Sequence, residues 1–290
     1  MILVVGARGV LGRVVVERLV AAGREVMAAG RDPARLGASS GVRTVRLDVR
    51  DTTSIRDALD GVDTVVSAIH GLAPPTRDNH PGIVDGAGVR ALVDESAAAG
   101  VGRFVFLSAK GAAPDAPSRF FRLKHEAEQH LRASTLDWTI VRPAAFIEVH
   151  GLQLMGEPLR AGKAVRLVGP AGTPIDWVSV EDVADVIVSS LDGPSRRGAV
   201  VEVVGPRKAS RLEVIDVLER AAGMTARRSH LPRPVAAFVQ RVGALVNPGV
   251  GYLLEAALGE DAAPGHSTPA DVAVTGTRTL EDVAARWAVD

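Results

Sequence analysis

The chain opens on a short apolar run, Ile2-Leu3-Val4-Val5, which passes directly into Gly6-Ala7-Arg8-Gly9-Val10-Leu11-Gly12 and then into an amphipathic stretch that ends near Gly23. A strand, a glycine-rich turn and a helix in that order are the start of a βαβ unit, whose next strand must lie parallel to the first. The glycines are spaced G-x-x-G-x-x-G rather than G-x-G-x-x-G, but the physics is the same. Glycine permits the turn and the close approach of a pyrophosphate, while the helix N-terminus supplies unpaired N–H groups and the positive end of a dipole. A plain strand-to-helix turn without a ligand is the alternative. The place of the loop in a βαβ unit favours nucleotide binding by Gly6, Ala7, Arg8, Gly9, Val10, Leu11 and Gly12.

The remaining pattern extends this start into a sheet. Strands are expected at Glu25 to Ala29, Arg43 to Leu47, Asp63 to Ala68, Arg103 to Leu107, and Trp138 to Val141, the last stopped by Pro143. Between them lie longer amphipathic stretches, among them Ile83 to Ala99 and Ser118 to Ala133. The run through Val65-Val66 is apolar on both faces, as a central strand covered by helices on either side should be. The predicted fold is α/β, a doubly wound parallel sheet of Rossmann-like type with a smaller C-terminal substrate lobe. Residues 1–143 form the expected dinucleotide-binding domain and 144–290 mainly the substrate lobe, with segments near 181–204 returning to the main sheet. Ligand belongs at the C-terminal ends of the strands.

Composition narrows the chemistry. Basic and acidic residues balance at 34 each, so no global field draws the chain to nucleic acid or an anionic membrane. Cysteine is absent, which removes disulfides and thiolate chemistry and fits a reducing compartment. Met1 to Gly6 shows no basic n-region and no long apolar h-region, and no cleaved leader is expected. No window approaches the roughly 18 uninterrupted apolar residues of a membrane span. Val235 to Leu258 comes nearest but is broken by Gln240, Arg241, Asn247, Pro248 and Glu255, and reads as a buried or ligand-lining helical pair. A cytoplasmic protein with a small-molecule substrate and no nucleic-acid partner is expected.

The second strand ends in Gly30-Arg31-Asp32, where an acid would usually receive the ribose hydroxyls of NAD. Arg31 instead offers a guanidinium to a 2′-phosphate, and Arg8 can reach the same group. NADP is therefore expected in preference to NAD, although Asp32-Pro33 also suits a helix cap. Asp48 and Val49, after the third strand, are placed beside the adenine, with capping of the helix near Thr52 as the other role for Asp48. Ser67, Ala68 and Ile69 close the fourth strand against the middle of the cofactor.

Taken together, Gly30-Arg31, Leu47-Asp48, Val66-Ser67-Ala68, Phe106-Leu107-Ser108, Lys124 with Glu126 to Arg132, Leu136 to Pro143 and Ile175 to Val188 join the glycine loop in a resemblance. The chain resembles the short-chain dehydrogenase/reductase superfamily, in its atypical, NmrA-like branch, over at least the first two thirds of its length. That resemblance implies an oxidoreductase with catalytic Tyr-x-x-x-Lys and Ser positions. The corresponding segment here is Phe120-Phe121-Arg122-Leu123-Lys124, so the tyrosine is missing, and the single tyrosine, Tyr252, has Ala256 four residues on.

By the same resemblance Lys124 contacts the nicotinamide ribose or, as in related isoflavone-reductase-like enzymes, moves the proton itself. A solvated lysine paired with Glu128 is the bland reading. Ser108 is placed against substrate or nicotinamide, and Pro143 and Ala144 beside the nicotinamide. The expected activity is NADPH-dependent reduction of a small carbonyl, quinone or conjugated acceptor. The alternatives are a non-catalytic NADP(H)-binding sensor or regulatory protein, and an assembly subunit that keeps the nucleotide as part of its fold.

Other constellations carry less. His125 and His130 are five apart rather than the four of a zinc-binding helix face, and no metal is expected. Asp182 and Asp185 read as first-turn acids of a helix, Arg142 as the partner of an internal acid, and Arg227-Arg228 as too small a basic patch for nucleic acid. His70 and His150 fall at strand-end or lobe-facing positions and are read as satisfied histidines before substrate contacts.

Overall fold

The computed structural model describes residues 1–36, 41–72, 74, 76–193, 196–262 and 267–289. The first strand and helix are β1 (Ile2–Val5) and α1 (Val10–Ala21), and β2 (Val26–Gly30), β3 (Val42–Arg46) and α2 (Thr52–Ala58) follow. Then come β4 (Thr64–Ser67), a π-helical turn Gly82–Gly88 running into α3 (Val89–Ala98), β5 (Arg103–Leu107), α4 (Arg119–Arg132) and β6 (Asp137–Pro143). Helix ends follow local chemistry. Asp51 caps α2 by accepting from Thr53 and Ser54 N–H, Ser118 caps α4, and Gly23 after α1 takes φ +71.

Beyond β6 the chain forms β7 (Ala145–Phe146), a π-helical segment Ile147–Gly156, α5 (Glu157–Arg160), β8 (Val165–Val168), β9 (Ile175–Val178), α6 (Val180–Ser190) and β10 (Ala199–Val204). It ends with β11 (Lys208–Ala209), α7 (Arg211–Ala222), β12 (Arg228–Leu231), α8 (Arg233–Val246), α9 (Pro248–Ala262), β13 (Val272–Thr275) and α10 (Leu280–Val289). The main sheet has the order β13-β10-β6-β5-β4-β1-β2-β3, and all its pairs are parallel. The fold is thus the Rossmann-like doubly wound sheet.

Strand alternation divides the core. Leu3, Val5, Val65, Phe104 and Phe106 face Ile55, Leu92, Val93 and Leu131 of α2, α3 and α4. Val4, Val66, Val105 and Val141 face Val15 and Leu19 of α1 and Val183 and Ile187 of α6. A third cluster, with Trp177, Val214, Leu218 and Trp287, fills the C-terminal half beside the sheet. Among the described residues, no helix is long and apolar enough to cross a membrane.

Three local expectations change. Pro143 does not stop the sixth strand but is its last residue, because β6 pairs with β10 through Val203, opposite Pro143, and the ring needs no donor there. An eighth strand, β13, was not foreseen, and it pairs only with β10 at the sheet edge. Val235 to Leu258 does form a helical pair, α8 and α9, but the pair is not buried: Phe238, Leu245 and Val246 of α8 are exposed, while α9 lies against α4, where Glu255 accepts from Arg119 at 2.8 Å.

Candidate active site

The order of strands reverses between β1 and β4, so their C-terminal ends open a crevice there. The glycine loop forms one wall. Gly6 has φ +87, and a Cβ on it would lie 2.7 Å from the Ala68 carbonyl oxygen at the end of β4. At Gly12 a Cβ would overlap the Gly6 carbonyl and come within 2.9 Å of Ala7 Cα, so only glycine lets α1 start this close to the loop. Gly9, the residue before α1, is exposed, and no side chain caps the helix. Its first-turn amides are left for an acceptor from outside, as a pyrophosphate cradle requires.

Two guanidiniums flank this cradle. Arg8 and Arg31 are exposed and make no hydrogen bond or ion pair with the described residues. Asp32, next to Arg31, is taken by Arg35 at 3.3 Å. Asp32 opens the 3-10 turn Pro33–Leu36 through its backbone, the Arg35 N–H donating to its carbonyl at 3.2 Å.

Asp48 is buried and held by Arg50, whose Nε donates to both carboxylate oxygens at 2.8 and 3.1 Å. The hydrogen bond from Arg50, and more weakly the charge of Arg31, holds the Asp48 carboxyl below the usual carboxylate range. Asp48 does not cap α2, because Asp51 occupies that position. Arg50 also donates to the Asp78 carbonyl at 3.0 Å, tying the segment after β3 to the loop after β4. Sequence reasoning missed Arg50; its spacing of two residues from Asp48 was the available signal. Val49 is buried, and its side chain occupies the space that a Cβ on Gly88 would need.

On the floor of the crevice, Ser67 and Ala68 are buried, and the Ser67 hydroxyl has no hydrogen-bond partner among the described residues. Lys124 lies 2.9 Å from Asp85 Oδ1, with both side chains buried. Its ammonium also donates to the Leu107 carbonyl at 2.9 Å and the Ile69 carbonyl at 3.3 Å. Asp85 accepts from the Gly71 N–H at 2.8 Å. Asp85, also missed, sits in Gly82-Ile83-Val84-Asp85-Gly86-Ala87-Gly88, where a lone acid interrupts an apolar and glycine run.

The alternative of a solvated Lys124–Glu128 pair does not form. Glu128 accepts from Arg142 Nε at 2.7 Å and from the Ser108 hydroxyl at 2.5 Å, and all three side chains are buried. Arg142 therefore has the internal acid anticipated for it, and donates further to the Thr268 carbonyl at 2.8 Å. Phe120, in the tyrosine position, is buried, with its ring 5.7 Å from Lys124 Nζ. Tyr252 stacks on His80 and under Arg119 instead. The Lys110 N–H bonds the Pro143 carbonyl at 2.9 Å, and the Ala144 N–H bonds the Val203 carbonyl at 2.9 Å, which fixes the end of β6.

The chain is similar to known proteins over most of its length. Residues 6–194 match the model of a family described as NAD(P)H-binding. Over 238 residues the chain is 32% identical to an NAD(P)H azoreductase from Xenophilus azovorans, covering 78% of this chain and 76% of the relative. It is 34% identical over 232 residues to a (4-alkanoyl-5-oxo-2,5-dihydrofuran-3-yl)methyl phosphate reductase from Streptomyces griseus, covering 80% and 77%. The structure of an NADPH-dependent quinone oxidoreductase from Escherichia coli, complexed with NADPH, superposes with a TM-score of 0.74 at 20% identity over 99% of both chains. The chain belongs to the NAD(P)H-binding family, an NmrA-like member of the atypical short-chain dehydrogenase/reductase superfamily.

Proposed function

We propose that this chain is an NADPH-dependent oxidoreductase that reduces a small carbonyl, quinone or conjugated acceptor without a catalytic tyrosine. The observation that carries the cofactor choice is Arg31, an unpaired guanidinium at the end of β2 beside an aspartate already engaged by Arg35. A guanidinium with no hydrogen-bonded or ion-paired acid complements a 2′-phosphate, whereas a free carboxylate there would favour the ribose hydroxyls. In this reading Gly6 to Gly12 hold the pyrophosphate, Asp48 and Val49 meet the adenine, and Ser67, Ala68 and Ile69 pass under the ribose. Pro143 and Ala144 border the nicotinamide.

Bound NADPH supplies hydride, and the protein supplies placement and electrostatics. Lys124 shapes the floor rather than shuttling protons, because its ammonium already meets Asp85 and two carbonyls. Ser108 gives its hydroxyl hydrogen to Glu128, so it offers a cofactor amide or a substrate hydroxyl a lone pair and not a proton. The relatives named as an NAD(P)H azoreductase and a (4-alkanoyl-5-oxo-2,5-dihydrofuran-3-yl)methyl phosphate reductase support a reductase reading.

NADPH oxidation measured anaerobically against quinones, an azo dye, a conjugated enone and aldehydes tests this reading. Acceptor-dependent oxidation well above background is expected with at least one class. The buried Phe120 favours a second reading, a NADP(H)-binding regulatory protein, and NADPH binding without turnover across the panel would select it.

A further inference from the structure

We propose that His70 is the group that receives the substrate: its Nε2–H donates a hydrogen bond to the acceptor oxygen on which negative charge builds during reduction. The proposal deepens the reductase reading and rests on it. His70 follows directly on the end of β4, and its backbone is stapled on both sides. The preceding carbonyl, of Ile69, accepts from Lys124, and the following N–H, of Gly71, donates to Asp85. Gly71 itself has no room for a Cβ against the His80 backbone, so the turn cannot drift. The buried ion pair thus places His70 at the mouth of the crevice, within the same construction that fixes its floor.

The ring has a defined proton. The Leu72 N–H donates to His70 Nδ1 at 3.3 Å, which makes Nδ1 the acceptor and puts the hydrogen of the neutral ring on Nε2. Nε2 has no hydrogen-bond partner among the described residues, and the side chain keeps solvent-accessible surface. The charged and titratable groups facing it are Asp85 from the π-helical turn, Lys124 from α4 and His150 from the segment after β7. Desolvation by the crevice lowers the His70 pKa, Lys124 and His150 lower it further, and Asp85 opposes them, so the net direction is toward neutral imidazole. His70 is exposed, so its ring is open to a ligand at the mouth of the crevice.

A neutral imidazole is suited to polarisation rather than to giving up its proton. When a carbonyl carbon gains the hydride carried by the dinucleotide, its π pair moves onto oxygen, and the His70 N–H stabilises that charge. Water then supplies the proton and leaves as hydroxide, and the cofactor ends as NADP⁺. This donation is what the phenol of a tyrosine would provide and Phe120 cannot.

The test compares the wild-type chain with His70→Phe and His70→Gln. Phe should lower kcat about 100-fold, as loss of one oxyanion donor does, with NADPH affinity by fluorescence within about twofold; Gln, which keeps an N–H donor, should recover at least about tenfold of that loss. Nitrogen-15 NMR of the imidazole, assigned by its disappearance in His70→Gln, should show the neutral Nε2–H form at pH 7. Unchanged kcat in His70→Phe, or an Nδ1–H or imidazolium signal at pH 7, overturns the role of His70 and leaves the reductase reading standing. A wild-type chain that binds NADPH and reduces none of the acceptor panel overturns both.

Discussion

Lys124 and Asp85 form an ion pair at 2.9 Å with neither side chain reaching solvent, and it joins α4 to the π-helical turn beneath the crevice. Removing one partner of such a pair leaves a buried charge uncompensated, at a cost of about 3–5 kcal/mol. Asp85→Ala should lose that much stability in urea unfolding, and the double variant Asp85→Leu/Lys124→Met should recover most of it. A single-variant loss under about 1 kcal/mol would contradict the buried pairing.

The second buried network, Ser108–Glu128–Arg142, should respond in graded fashion. Glu128→Ala strands the Arg142 guanidinium and should cost about 3–5 kcal/mol. Ser108→Ala removes one hydrogen bond to a carboxylate that Arg142 still holds, for about 1–2 kcal/mol. Urea midpoints of the two variants check the order, and a larger loss for Ser108→Ala would reverse the account of which residue anchors the network.

Close approach of α1 to the glycine loop makes Gly12→Ala the harshest methyl addition in the cradle, since the new atom meets backbone and not a flexible side chain. NADPH affinity is expected to fall at least about tenfold, equivalent to about 1.4 kcal/mol, with a lowered Tm. Calorimetric titration and thermal unfolding read the two effects separately.

How far the sequence reached can be seen residue by residue. The sheet from β1 to β6 was legible because each strand is a short apolar run between turn residues, and β4 was recognisable as central from Val65-Val66 alone. Helix spacing offered Lys124 and Glu128 as a solvated pair, the alternative to a ribose contact, but both side chains are buried and each meets a partner from another element. Asp85 and Arg50 were not legible, since their partners lie across turns whose geometry only the folded chain defines. β13 escaped notice because Val272–Thr275 is only four residues long and half-exposed at the sheet edge.

Stability should also depend on pH in a defined window. His70 and His80 both have pKa values lowered from the ordinary value near 6.5, chiefly by desolvation. Between the lowered and ordinary values the unfolded chain binds more protons than the folded one, so stability rises with pH up to about 7 and falls on acidification below it. Asp48 adds stability that is present above the ordinary carboxylate pKa and is lost only as pH falls through its own lower value. Tm measured from pH 5 to 8 should therefore fall at the acid end, with a shallower slope in His70→Gln. An identical slope in that variant would remove His70 from the account.

The central claim is that Arg31 turns a general dinucleotide cradle toward NADPH. Isothermal titration of the wild type and Arg31→Ala with NADPH and with NADH tests it most directly. The wild type should bind NADPH about 10-fold to 100-fold more tightly than NADH, and Arg31→Ala should abolish that preference by weakening NADPH alone, as loss of a charge-assisted contact worth about 1.5–3 kcal/mol requires. Equal affinities in the wild type, or a preference that survives in Arg31→Ala, would contradict it.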